Sequence, residues 1–230
     1  MFMISREVDF HGFPRGFPDF LFSLQFTNTA EKLPDNKLIY KQLISEPLLQ
    51  LFHALEPAAL SVSDTLITKP SRCVSTMYTD MRFSRATPLK EYMYIRFREP
   101  GRQRDILGLY FDMGRGHYSY GIRIYKQTSA GMERTRRGIM ENTHAFAQAL
   151  DDLNAAGMTL KGVKYAKDRY PDMATPAIKE MLNHRSFYIG RDCPINEAVF
   201  NGELAREICM AFTKIKGMYL LLRDFTQAPS

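Results

Sequence analysis

The clearest signal along the chain is a switch of hydrophobic period. Met93, Ile95 and Phe97 alternate with Tyr92, Tyr94, Arg96 and Arg98 in 91–98. Leu107, Leu109, Phe111 and Met113 line one side of 106–113, and Tyr118, Tyr120, Ile122 and Ile124 line one side of 117–126. A period of two sends successive side chains to opposite faces, so each stretch predicts a strand with one apolar and one more polar face. Gly114-Arg115-Gly116 predicts a hairpin between the last two, within an antiparallel sheet of at least three strands. A weaker strand pattern covers about 72–79. Further strands are expected near 159–165 and 186–190.

Outside the middle the period lengthens to that of a helix. Phe17-Pro18-Asp19 opens a short helix, since proline and an acid suit a first turn, and its apolar face is Phe20, Leu21 and Leu24. A second helix is expected from about Asp35 to Leu60, burying Leu38, Leu43, Leu48, Leu51 and Leu55. Pro47 must bend or break it, because proline lacks the backbone donor and clashes with the preceding turn. Helical pattern returns from about Gly131 to Ala156, with a break near Asn142, and from Thr175 to Leu182. A long last helix runs from about Asn196 to Phe225. Its stripe of Leu204, Ile208, Phe212, Ile215, Tyr219 and Leu222 is spaced four, four, three, four and three, one buried face. Strands grouped between helical blocks predict the α+β class, an antiparallel sheet packed against N- and C-terminal helices, and one domain over 1–230.

Composition narrows the setting. The chain has 230 residues, is 45% hydrophobic and 24% charged, ordinary globular values. No run of 18 apolar residues predicts a membrane span, and the start MFMISREVDFHGF lacks the layout of a signal peptide. Cys73, Cys193 and Cys209 are scattered and odd in number, so no disulfide framework and a reducing, cytoplasmic compartment are expected. The net charge of +6 is uneven: residues 82–137 hold 13 Lys/Arg and 5 Asp/Glu, a balance of +8, and the rest sums to −2. Such a middle section suits an anionic partner, unless carboxylates elsewhere in the fold pair with it.

The order of several short motifs resembles a known family. They are Phe10-His11-Gly12-Phe13, Asn36-Lys37-Leu38-Ile39-Tyr40, and Arg82-Phe83-Ser84 followed by Pro88-Leu89-Lys90. Later come the tyrosine-rich hairpin with Gly121, Arg136-Arg137-Gly138-Ile139, and Leu182-Asn183-His184-Arg185-Ser186-Phe187-Tyr188. Together they are similar to the bacterial proteins grouped as domain of unknown function 2461. The resemblance implies a fold and a compartment, and no established activity. Where the family reads Lys-Asp-Lys after Arg-Phe-Ser, this chain has the shorter Arg85-Ala86-Thr87-Pro88-Leu89-Lys90, and Thr79 stands where the family has an arginine.

Standard catalytic signatures are missing: no P-loop, no G-x-S-x-G, no H-E-x-x-H. The five histidines, His11, His53, His117, His144 and His184, show no metal-ligand spacing, and neither a metal nor a cofactor is expected. Cys73 and Cys193 are open as nucleophiles or, more simply, as buried inert thiols. The first candidate site is the loop carrying Asp80, Arg82, Ser84, Arg85, Thr87 and Lys90. Arginine offers a planar fork for carboxylate or phosphate, lysine a point charge, and the hydroxyls short donors. The bland alternative has Arg82 pair with Asp80 and merely organise the loop. The second candidate is the polar sheet face of Tyr92, Tyr94, Arg96, Arg98, Tyr110, Asp112, Arg123 and Tyr125. Aromatics beside arginines suit base stacking and phosphate contact. Its alternative is a helix covering the face, with Arg96 or Arg123 paired to Asp112. The leading expectation is a module binding a small anionic or phosphorylated ligand through Arg82, Arg85 and Lys90. A cofactor-independent enzyme using Asp80, tyrosine or His117, an RNA-binding accessory protein, and a structural or interaction protein stay open. Any nucleic-acid affinity is expected to be weak and electrostatic. The oligomeric state is not legible.

Overall fold

The computed structural model describes residues 10–80, 87–101 and 103–227. Helix α1 spans Phe17–Thr27, with Phe17, Phe20, Leu21 and Leu24 buried. The long second helix is three pieces: α2 (Leu33–Tyr40), a π-turn (Lys41–Ser45) and α3 (Glu46–Val62). Pro47 sits in the first turn of α3, directly after the π-turn. The break demanded by proline is thus met by one wide turn, in which the Glu46 amide bonds the Lys41 carbonyl. That extra residue shifts the helical phase. Leu48, Leu51 and Leu55 are buried as expected, while Leu38, on the other side of the turn, is 61% exposed.

The region 72–79 is not a strand of the sheet. It begins with the short helix α4 (Pro70–Cys73) and continues with two isolated bridges, Val74 to Ile95 and Tyr78 to Leu89. The expected strands follow: β1 (Met93–Arg98), β2 (Ile106–Met113) and β3 (His117–Tyr125). Next come α5 (Ser129–Glu141) and α6 (Thr143–Ala155), split at Asn142 as the sequence required. Then follow β4 (Thr159–Lys164), α7 (Pro176–Leu182) and β5 (His184–Pro194), longer than its sequence pattern, and α8 (Glu203–Gln227) behind a short 3₁₀ turn.

All strand pairs are antiparallel, in the order β1-β2-β3-β5-β4. The fold is α+β, as expected, with β5 inserted between β3 and β4. Strand β4 forms one edge. It carries Gly162 at φ 146, an exposed Val163 and a register shift between Val163 and Lys164. Lys161 and Lys164 are tied to Asp192 and Glu180.

The apolar face of the sheet meets the helices. Phe97 stacks on Phe52 of α3 and meets Phe212 of α8 edge-on. The whole stripe Leu204, Ile208, Phe212, Ile215, Tyr219 and Leu222 is buried in this core. One carboxylate lies within it. Glu99 accepts hydrogen bonds from Ser63, Thr65 and Tyr219, tying the end of α3 and β1 to α8. A buried charge is tolerable when several donors surround it.

Two motifs of the family resemblance prove to be joints. Arg136, buried in α5, donates to the carbonyls of Leu182 at 3.0 Å and His184 at 2.5 Å. Gly12, at φ 105, lies so close to the Phe200–Asn201 backbone that a Cβ would come within 2.2 Å. Phe13 donates its amide to Val199 nearby. Among the described residues no helix is long and apolar enough to cross a membrane, and no cluster of metal-ligating side chains occurs.

Candidate functional site

The strand register fixes what lies on the second face of the sheet. Tyr94 opposes Asp112, and Asp112 opposes Ser119, which opposes Asp192. In the next row Arg96 opposes Tyr110, Tyr110 opposes Gly121, and Gly121 opposes Gly190. Arg123 opposes Tyr188 one row further. Helices α3, α5 and α8 bury the apolar face, so the helical cover considered for this polar face does not come from them. The ion pairing considered for it is present, and to both arginines.

Asp112 stands between the two arginines. Its Oδ2 accepts from Arg123 Nη1 at 3.3 Å, and its Oδ1 lies 3.9 Å from Arg96 Nη2. The side chains of Arg96, Asp112 and Arg123 keep 26%, 25% and 30% of their surface exposed, so solvent reaches all three. Each guanidinium rests on tyrosine rings. Arg96 is 3.6 Å from the Tyr94 centroid and 5.4 Å from that of Tyr125. Arg123 is 4.7 Å from Tyr110 and 4.8 Å from Tyr188. Tyr110 is fully buried and lies across Gly190, whose missing side chain makes room: a Cβ there would be 2.2 Å from the Tyr110 hydroxyl.

The electrostatics are those of a half-dry cationic patch. Burial pushes the Asp112 carboxyl above its usual range, and the two arginines only partly oppose it. Burial also raises the Tyr110 and Tyr125 phenols, keeping both neutral. Three buried polar atoms of this face, Arg96 Nε, Asp112 Oδ1 and Tyr125 Oη, have no hydrogen-bond partner among the described residues. Gln127 Nε2 and Arg134 Nε share that condition elsewhere. Buried polar atoms normally find partners, so a concentration of exceptions marks a place built for something other than stability.

The loop predicted as the first site partly joins this face. Lys90 Nζ lies 5.6 Å from the Tyr94 centroid, on the ring that also carries Arg96, and donates to Thr76 Oγ1 at 3.3 Å. Burial, then repulsion from Arg96, lowers the Lys90 ammonium below its usual range. The backbone around it is firmly held: Asn28 makes two hydrogen bonds to Leu89, and Lys90 N bonds Met77 O. Thr87 is half-buried and its carbonyl accepts from the Thr79 hydroxyl, while Asp80 is exposed. Arg82, Ser84 and Arg85 lie outside the described residues. That Lys90 shares the Tyr94 ring with Arg96 was not visible in the sequence, and neither was the part played by Tyr188. The alternation of Ser186, Tyr188 and Gly190 carries the signal for Tyr188, but only once β5 is known to pair with β3.

The remaining candidates have structural surroundings. His117 is exposed at the start of β3, beside the β2–β3 turn. Cys73 and Cys193 are buried free thiols; burial pushes Cys73 up to about 11 and raises Cys193 too, so neither is a ready nucleophile.

Fold and site together define an α+β protein with an antiparallel sheet whose polar face presents arginines stacked on tyrosines. The family described as "Conserved hypothetical protein (DUF2461)" matches residues 17–220, and the chain belongs to it. No curated protein matches the chain.

Proposed function

We propose that the protein binds a small anionic ligand on the polar face of the sheet, through Arg96, Arg123 and Lys90. The observation that carries this is the imbalance of charge on this face: two arginines flank the one carboxylate of Asp112, Arg96 makes no hydrogen bond to it, and Lys90 adds a third cation on the Tyr94 ring that carries Arg96. Guanidiniums held against rings lose little freedom on binding and can present N–H groups to a carboxylate or phosphate. Nucleic-acid bases fit less well, because the tyrosine faces that would stack them already carry arginines. Arg82 and Arg85, eight and five residues before Lys90, extend the same proposal, with Arg82 as its strongest loop contributor.

Calorimetric titration with phosphate and small organic phosphates tests this. A lost charged hydrogen bond typically costs about 1.5–3 kcal/mol, so Arg123→Met and Arg82→Ala should each weaken binding by about 10- to 150-fold. Stability is measured alongside by urea unfolding. If both variants bind every hit as tightly as the wild type, these arginines are structural and the proposal is wrong.

A further inference from the structure

The polar face holds more than cations, and its layout narrows the ligand. Resting on the anion-binding reading above, we propose that the ligand is a small hydroxylated organic phosphate or carboxylate. Its anionic group is taken by Arg96, Arg123 and Lys90, and an adjacent hydroxyl donates to the Asp112 carboxylate.

A site meant for a bare anion gains nothing from a carboxylate at its centre, since like charges repel in a half-buried setting. Asp112 is nevertheless central, and it is underused as an acceptor. A carboxylate has about four lone-pair sites, yet among the described residues it accepts one hydrogen bond, a long one of 3.3 Å from Arg123. Its Oδ1 accepts nothing from the described residues. The row it belongs to is also the acceptor row of the face. Asp112, Ser119 and Asp192 stand opposite one another on β2, β3 and β5. Adjacent strands are about 4.8 Å apart, so these positions span roughly 10 Å. Arg96 lies in the neighbouring row, and the Arg123 side chain reaches back from its own row to Asp112. Asp192 is already paired with Lys161, so the cationic donors flank Asp112 and the Ser119 hydroxyl, the complement of an anion bearing hydroxyls and not of an anion alone. A plain counter-ion role, in which Asp112 only keeps the two arginines from repelling each other, makes a different forecast: it is blind to hydroxyls on the ligand.

The experiment compares matched ligands by calorimetry on the full chain: methyl phosphate against glycerol 1-phosphate, and propionate against lactate. The wild type should bind the hydroxylated member of at least one pair about tenfold more tightly. Asp112→Asn should reduce that preference at least fivefold while holding or tightening the affinity for methyl phosphate. A wild-type preference below twofold in both pairs overturns the inference and leaves anion binding standing. So does a preference that Asp112→Asn leaves intact. Absence of binding by all four compounds overturns the anion-binding reading and this one with it. The melting temperature of Asp112→Asn is recorded first, and if that variant does not fold, the wild-type preference alone decides.

Discussion

Asn28 offers the sharpest test of how the segment entering β1 is held. Its buried side chain acts as a short piece of strand: Nδ2 donates to the Leu89 carbonyl at 2.8 Å and Oδ1 accepts the Leu89 amide at 2.9 Å. The two partners are 61 residues apart in sequence. Asn28→Ala removes both bonds and strands a buried N–H and a buried C=O on Leu89. An unsatisfied buried group costs about 1–3 kcal/mol, so the pair predicts a loss of about 2–6 kcal/mol, a large share of an ordinary domain's stability. Asn28→Asp keeps the acceptor but turns a second oxygen toward the Leu89 carbonyl. Ionised, that oxygen repels; protonated, it donates. The aspartate's folded pKa should therefore lie above its unfolded value, and the variant should regain stability relative to wild type as pH falls. Urea unfolding of the three proteins at several pH values measures both effects. An Asn28→Ala loss below about 0.5 kcal/mol, within the range of an ordinary surface change, would refute the reasoning. Because Leu89 precedes Lys90, Asn28→Ala should also weaken anion binding if it folds.

Three more outcomes are expected. Burial holds His184 below its ordinary pKa, with its hydrogen bond to the Glu180 carbonyl opposing, so protonation favours the unfolded chain. Its share of stability is full above the unfolded pKa of about 6.5 and declines as pH falls below it; His184→Gln should flatten that decline between about pH 7 and 5 relative to the wild type. Gly190→Ala should cost about 1–3 kcal/mol, the usual range for overpacking, because its Cβ would also meet the Tyr120 carbonyl at 2.8 Å. Tyr110→Phe, which removes the other obstructing atom, should recover part of that loss in the double variant. Unfolded, unreduced protein should titrate three thiols, matching the free cysteines; a count of one would reveal a disulfide.

The strands were legible because their inward positions are filled by large apolar side chains at a strict period of two, and Met93, Phe111 and Ile122 all turned inward. Helix phase was less legible. Reading Leu38 with Leu48 and Leu51 assumes an unbroken repeat of 3.6, and the π-turn at Lys41–Ser45 inserts a residue that no side chain announces. At 72–79 the apolar residues attach to β1 and to Leu89 by single bridges, a tertiary arrangement that local pattern cannot separate from a strand. For the site, the residue types were legible and their meeting was not. Arg96, Asp112 and Arg123 could be placed on one face by counting alone, but Lys90 joins Arg96 through long-range contacts that local pattern does not show: Asn28 to Leu89 and Lys90 N to Met77 O.

The edge strand β4 has a consequence for the protein in concentrated solution. An unpaired strand is a template for intermolecular growth, and aggregation begins where such an edge is long, flat and uncharged. This one is six residues long, bent at Val163/Lys164, and interrupted by a glycine in a conformation other residues avoid. Its two lysines would have to be stripped of water and of their acidic partners before another strand could dock. Removing that protection, as in Lys161→Val with Lys164→Val, exchanges two charges for valines on either side of Gly162-Val163 and should make the variant form fibrillar precipitate at concentrations where the wild type does not.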